Sequence, residues 1–486
     1  MHDLVVRGGT IVDGLGGAPF TGDVAVDGGR VVEVGRADGP ARETIDADGL
    51  LVTPGFVDVH THYDGQATWD SQLGPSCWHG VTTVVAGNCG VGFAPVRPGG
   101  EQELIELMEG VEDIPGTALW EGIDWQWESF PEYLDALERR PRMLDVGTHV
   151  PHAAVRAYVM GARAGTGVAT PDDIAAMVDI ARAGMRAGAL GVSTSRILAH
   201  HTSRGDEVPG TFADETELTA LASVLHELGT GVFEVVPRGM DGEVSDAAHA
   251  ELELLGRLAS VAGTRLTFSV VQTHTELERW RLILDRCSEL QAQGVPIYPQ
   301  VANRATGILF GLQSKNNVFC TRPSYREIAD LPLDVKLARM RDPEVRARIL
   351  AEPNGEFDHP LASFVYETFS NMLPVREPFD WEPTPDATST RSRDAKGVPR
   401  RRSSTTSSPR ATGATSSRSR SPTTSTSAST TCTTCSRTPP RCGAWATAAR
   451  TAAPRSTPAA PRSCSATGCA TAPAVPVSIY PPRCAG

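Results

Sequence analysis

Thr53-Pro54-Gly55-Phe56-Val57-Asp58-Val59-His60-Thr61-His62-Tyr63-Asp64 is the stretch whose reading decides the fold of this 486-residue chain. A Thr-Pro-Gly turn leads into a short apolar run that ends in polar residues, the pattern of a strand with a functional tip. Successive side chains on a strand point to opposite faces, so Asp58, His60 and His62 share one side while Val57, Val59 and Thr61 share the other. Two imidazoles about 7 Å apart along a strand can serve one cation, each offering a neutral ring nitrogen to a borderline-soft metal. The bland alternative is a pair of surface histidines on an edge strand.

On the N-terminal side of this stretch, residues 1–52 read as short strands over 4–6, 10–12, 24–26, 31–34 and 50–52. Turns at Asp13-Gly14 and Asp27-Gly28-Gly29 separate them, an all-β signature. On the C-terminal side, apolar strands alternate with helical stretches, which points to a parallel α/β fold. The strands fall at 56–61, 82–86, 143–148, 191–194, 232–236, 266–272 and 296–300. Thr170-Pro171-Asp172-Asp173 marks one helix start, Asp214 opens a second that stops at Gly229, and a third covers 251–261 ahead of Gly263. The expected architecture is a (β/α)8 TIM-like barrel over 53–385 with a small N-terminal β-sandwich domain over 1–52. The active site of such a barrel lies at the C-terminal ends of its strands. Seven strands fit before Asp386, so an eighth must come from the tail or be missing.

A second polar tip follows the next strand, at Gly87-Asn88-Cys89-Gly90. Cys89 there stands at the barrel mouth beside the histidine pair, where a thiolate suits zinc. Free cysteine in a reducing compartment also occurs as a small buried hydrophobe, so spacing alone leaves both readings open.

Composition divides the chain in two. The whole is 40% hydrophobic and carries a formal charge of −13. Residues 387–486 contain 14 Arg, 1 Lys, 1 Asp and no Glu, so about +14 sits on this tail and −27 on the body. The tail has 18 Ser, 19 Thr and no Leu or Phe, too little apolar surface to offset the entropy of ordering it. The acidic body disfavours nucleic acid as a partner. No run of about 18 apolar residues and no signal-peptide pattern stands out, which reads as a cytoplasmic protein without a membrane partner.

The quoted motifs carry a family resemblance. The 53–62 stretch resembles the strand-1 metal motif of the amidohydrolase superfamily. Its continuation through Tyr63-Asp64-Gly65-Gln66, Gly87-Asn88-Cys89-Gly90-Val91-Gly92-Phe93-Ala94-Pro95 and segments 107–115, 147–152, 188–195 and 359–371 is similar to the N-acyl-D-amino-acid deacylase (D-aminoacylase) branch. The resemblance covers about residues 1–385. It implies a metal-dependent hydrolase of non-peptide C–N bonds with one or two zinc ions, whose ligands include Cys89 beside His60 and His62. The metal lowers the pKa of a bound water, and an N-acyl amino acid or related amide is the small-molecule partner. An Asp after strand 8 normally binds metal and shuttles the proton.

This chain departs from that pattern in several places. The branch has metal-binding histidines after strands 5 and 6. Here Phe233-Glu234-Val235-Val236 has none, and Val271-Gln272-Thr273-His274 supplies His274 as a ligand candidate or a hydrogen-bonded bystander. His200-His201 reads as an exposed loop pair, with a metal or substrate position as the alternative. Arg196 and Arg304 are candidates to hold a substrate carboxylate bidentately, or else structural salt-bridge partners. Trp125, Trp127, Phe130 and Tyr133 read as a segment packed over the barrel. Dihydropyrimidinase-type hydrolysis, which uses a carboxylated Lys at strand 4, finds no Lys in Gly191-Val192-Ser193-Thr194-Ser195.

The strand-8 Asp is missing from the body, and no catalytic residue is assigned in its place. The tail reads as a disordered Ser/Thr/Arg linker, as a weak zinc module around Cys432, Cys435, Cys442, Cys464 and Cys469, or as the product of a slipped reading frame near 386–400. The slip is the reading we prefer. Trp445 through Thr451 admit the codons TGG GCG ACG GCG GCG CGC AC, which two nucleotides later read Gly-Asp-Gly-Gly-Ala-His, similar to the branch's strand-8 motif. A chain so altered lacks the Asp and the closing strands, and is a catalytically silent product of an enzyme lineage.

Overall fold

Two sheets organise the protein, and the computed structural model describes residues 1–240, 247–272, 276–302, 311–313, 317–355, 372, 443–445 and 478–480. The first sheet contains β1 (His2–Ile11), β2 (Phe20–Asp27), β3 (Arg30–Gly35), β4 (Ala41–Asp46) and β5 (Leu51–Thr53). β1 pairs antiparallel with β2 and, along its other edge, parallel with β4 and then β5. Strand alternation gives this sheet two small apolar clusters, Val5, Ala25 and Ala37 in one, and Val6, Ile11, Val24, Ala47 and Val52 in the other. The strands expected at 4–6 and 10–12 are one strand whose register shifts between Val6 and Gly9. β4 lacks an apolar run, and sequence reading missed it.

The second sheet carries the candidate site. β6 (Phe56–Asp58), β7 (Val81–Ala86), β8 (Asp145–Pro151), β9 (Gly191–Ser195), β10 (Val232–Val236), β11 (Arg265–Val270) and β12 (Ile297–Ala302) are parallel and adjacent in chain order. These are the seven strands read from the sequence, and they curl into the larger part of a TIM-like barrel. The helices between them are α1 (Glu101–Glu112), α2 (Gly116–Gly122), α3 (Phe130–Glu138), α4 (His152–Met160), α5 (Pro171–Ala187), α6 (Glu215–Leu228), α7 (Ala248–Ala262) and α8 (Arg279–Ala292). The caps expected at Thr170, Asp214 and Gly229 are present: Thr170 and Asp173 form a capping box, Asp214 caps the Glu217 N–H and Gly229 closes α6, while Gly188 closes α5. α7 starts three residues earlier than the periodicity suggested. No helix among the described residues is long and apolar enough to cross a membrane.

Two short strands lie in the tail: β13 (Gly443–Trp445) runs parallel beside β12 and β14 (Ser478–Tyr480) antiparallel beside β5. An edge strand presents unpaired N–H and C=O groups with which a short segment can pair. β6 and β13 stand at the two ends of the hydrogen-bonded order.

An aromatic cluster fastens the loops at the strand tips. Trp127, Phe130 and Tyr133 are buried, as the packing reading expected. Trp127 donates its indole N–H to the Phe93 carbonyl at 2.7 Å, and Tyr133 donates its hydroxyl to the Asp64 carbonyl at 2.8 Å. One cluster thus ties down the chain leaving both β6 and β7. Trp127→Phe, which removes the N–H, is expected to lower stability by about 1 kcal/mol. Trp127→Ala, which also opens a cavity, is expected to cost about 3–5 kcal/mol; urea unfolding midpoints measure both.

Candidate metal centre

The tip of β6 keeps its polar triplet inside. Asp58, His60 and His62 are buried while Val57 is 50% exposed, so alternation places the imidazoles toward the barrel interior rather than on a surface edge. Thr61 continues the pairing beyond the strand, with its N–H and hydroxyl both donated to the Val85 carbonyl. The two rings meet edge to face with centroids 5.5 Å apart.

Cys89 reaches them because of an unusual turn. Its backbone is left-handed, φ +57°, a conformation costly for a residue with a side chain. The flanking glycines permit the turn: Gly87 and Gly90 have φ +70° and +71°, and a Cβ on Gly87 would lie 2.3 Å from the His149 carbonyl oxygen. Side chains from neighbouring strands hold the loop. Asn88 donates to the Thr61 and Val85 carbonyls, Asp64 accepts the Gly87 N–H at 2.7 Å, and the Ser193 hydroxyl accepts the Gly90 N–H at 3.1 Å while donating to the Gly87 carbonyl. The Cys89 N–H is donated to Glu234 at 3.0 Å.

His60 Nε2 lies 3.2 Å and His62 Nε2 3.5 Å from Cys89 Sγ. One ligand atom from each of the three residues lies within 4.8 Å of the others, and all three are buried. Two imidazoles and a thiol, buried together, form a donor set suited to zinc. Carboxylates and an amide stand around them. Gln300 Oε1 is 3.3 Å and Glu234 Oε1 3.7 Å from His60 Nδ1, and Glu112 Oε1 is 3.2 Å from His62 Nε2. Sequence reasoning missed Glu112, Glu234 and Gln300 as neighbours of the site. A charged residue inside the apolar run Val232–Val236 was the available signal for Glu234.

The other expected residues fall elsewhere. Arg196 is buried with its guanidinium fork on Glu251, at 2.6 and 3.2 Å, and one further N–H on the Ala213 carbonyl. That is the structural salt bridge that was its second reading. His200 and His201 are half-buried rather than exposed, and His200 Nδ1 lies 3.0 Å from the Ser195 hydroxyl. His274, Arg304 and segment 359–371 lie outside the described residues. Behind β9, His152 links Thr194 to Glu217, which Arg156 also pairs. Burial favours the neutral form of Glu217, but its hydrogen bonds to His152 and Arg156 bring its pKa down to about 2.

Burial dominates the protonation of the histidines. It lowers His60 to about 3 and His149, which sits at the tip of β8, to about 4. Both rings are therefore neutral near pH 7, and Asp64, raised by burial to about 7, is poised between its two states. A histidine whose folded pKa lies below its unfolded value lets the unfolded chain bind more protons, so stability falls as pH drops through that interval. For His149 the interval runs from 6.5 to about 4 and corresponds to about 3 kcal/mol. His149→Leu is expected to flatten the stability–pH slope of the metal-free chain over that window, and urea titrations at successive pH values measure it.

Comparison with known proteins places the chain in a family. A model of the amidohydrolase family matches residues 43–378. Over 195 residues the chain is 37% identical to the D-aminoacylase of Alcaligenes xylosoxydans xylosoxydans, a stretch covering 40% of this chain and 37% of that protein. It is 37% identical over 194 residues to the N-acyl-D-aspartate deacylase of the same organism, covering 40% and 36%. The chain thus spans less than two-fifths of the length of these curated relatives. A crystal structure of D-aminoacylase superposes with a TM-score of 0.52 at 27% identity, over 63% of this chain and 60% of that one. With the family match over most of the body, the parallel barrel strands and the histidine pair at the first strand tip, the chain belongs to the amidohydrolase family.

Proposed function

We propose that the body of this chain is built for metal-dependent hydrolysis of amide C–N bonds in N-acyl-D-amino acids, with His60, His62 and Cys89 holding zinc. The single observation that carries the reading is the buried convergence of those three donors at the strand tips. The D-aminoacylase and deacylase relatives support the substrate class. Bound zinc supplies Lewis acidity and a water of lowered pKa.

The chain's own residues prepare for that ion. Burial keeps the His60 ring neutral. A His60 tautomer protonated at Nδ1 donates to Gln300 and turns the Nε2 lone pair toward Cys89. The turn at Gly87–Gly90 aims Sγ between the rings. Arg304 remains the candidate for a substrate carboxylate and His274 for a further ligand, while Arg196 is occupied by Glu251.

A second reading applies to the polypeptide as it stands. The basic, Leu-free tail supports a slipped reading frame after Asp386, which leaves the strand-8 Asp untranslated and the chain a zinc-binding but catalytically silent product. Loss of a ligand that also moves the proton commonly costs several orders of magnitude in rate.

One experiment addresses both readings. The chain as written, loaded with zinc, is expected to bind about one metal, to lose it in His60→Ala and Cys89→Ala, and to show no turnover of N-acetyl-D-amino acids above background. Restoring the downstream frame is expected to raise D-selective deacylation by orders of magnitude. Failure to bind zinc sinks the metal assignment, and a nucleotide sequence with early stops in the shifted frame sinks the slip.

A further inference from the structure

We infer that Glu234 is a positioning residue for the metal centre, a buried carboxylate that fixes Cys89 and His60 in ligating orientation from behind without joining the ligand set. The inference rests on the metal reading above and deepens it.

Glu234 is 0% exposed in the middle of β10, between Phe233 and Val235, which are also fully buried. A carboxylate is kept in such a place only where hydrogen bonds and charge compensate its desolvation. Its two oxygens address two different candidate ligands. Oε2 accepts the Cys89 N–H at 3.0 Å and thereby supports the left-handed backbone that turns Sγ inward. Oε1 faces His60 Nδ1 at 3.7 Å, beside the Gln300 oxygen at 3.3 Å, and so favours the tautomer whose Nε2 carries the lone pair facing Cys89. Glu234 does not belong to the group of ligand atoms lying within 4.8 Å of one another. A divalent ion and one thiolate leave a positive charge in a buried site, which the carboxylate opposes from a place where no geometry of its own has to be met.

The same strand position explains how the role arises. β10 pairs with β9 at Glu234–Ser193, and Ser193 holds Gly87 and Gly90 at the two sides of Cys89. The paired residues Ser193 and Glu234 therefore grip three consecutive points of one turn, its first carbonyl and two of its N–H groups.

The test uses the full chain loaded with Co(II) as a spectroscopic probe, with zinc affinity read by chelator competition and folding by circular dichroism. Glu234→Gln retains an oxygen for the Cys89 N–H but loses the charge. It is expected to keep the thiolate-to-cobalt charge-transfer band while metal affinity falls about 10–100-fold. Glu234→Ala is expected to weaken that band selectively, leaving the imidazole ligand field, because Cys89 is no longer held. Unchanged affinity and an unchanged band in both variants overturn the inference. So does complete loss of cobalt in Glu234→Gln, matching His60→Ala, because Glu234 would then be a ligand. If Glu234→Ala does not fold, Glu234→Gln decides alone. A wild-type chain that binds no more metal than His60→Ala defeats the metal reading itself, whereas silent Glu234 variants of a wild type that binds defeat only this inference.

Discussion

The left-handed turn at Cys89 is the constraint on which the candidate centre depends. Strained backbone of this kind persists only where its surroundings over-determine it. Here Asn88 ties the turn to the Thr61 carbonyl in the loop after β6 and to the Val85 carbonyl of β7, Asp64 to that same loop, Ser193 to β9 and Glu234 to β10. The thiol is brought to the histidines by contacts from four neighbouring elements rather than by the loop's own preference. The aromatic cluster around Trp127 and Tyr133 works one layer further out, fixing the same two loops by their carbonyls.

Much of this was legible in the sequence because the signals are local. Strand runs such as Thr82-Thr83-Val84-Val85 and caps such as Thr170-Pro171-Asp172-Asp173 act within a few residues of themselves, and they appear where periodicity and turn chemistry put them. His60 and His62 share a side because alternation requires it. The surroundings of the centre were not legible, because they are joined across long stretches of chain: Glu234 is 145 residues from Cys89, and Gln300 is 240 from His60. β4 escaped notice because Ala41–Asp46 alternates without an apolar stripe. Arg196 illustrates a general ambiguity, since a guanidinium offers the same fork to a substrate carboxylate as to Glu251.

Electrostatics and packing act together at the strand tips. The low dielectric that keeps His60 and His149 neutral also makes every carboxylate near them expensive to leave without compensation. The polar residues at the barrel mouth therefore form a connected set in which each partner's placement conditions the next. Glu217, behind β9, shows the same logic without any metal, its charge maintained by His152 and Arg156 in the interior.

His60, His62 and Cys89 all lie just past the first two barrel strands, and His60 and Cys89 are only 29 residues apart. Closing so short a stretch has a small entropic cost and makes few demands on distant chain. During synthesis from the N-terminus, the three donors are made long before the residues beyond Asp386. Whatever those last residues encode, the three donors proposed to hold an ion already stand in the earlier part of the polypeptide. Under the proposed function, the capacity to capture the ion and the capacity to use it are set by different stretches of the gene, and a change that abolishes the second would leave the donors of the first in place.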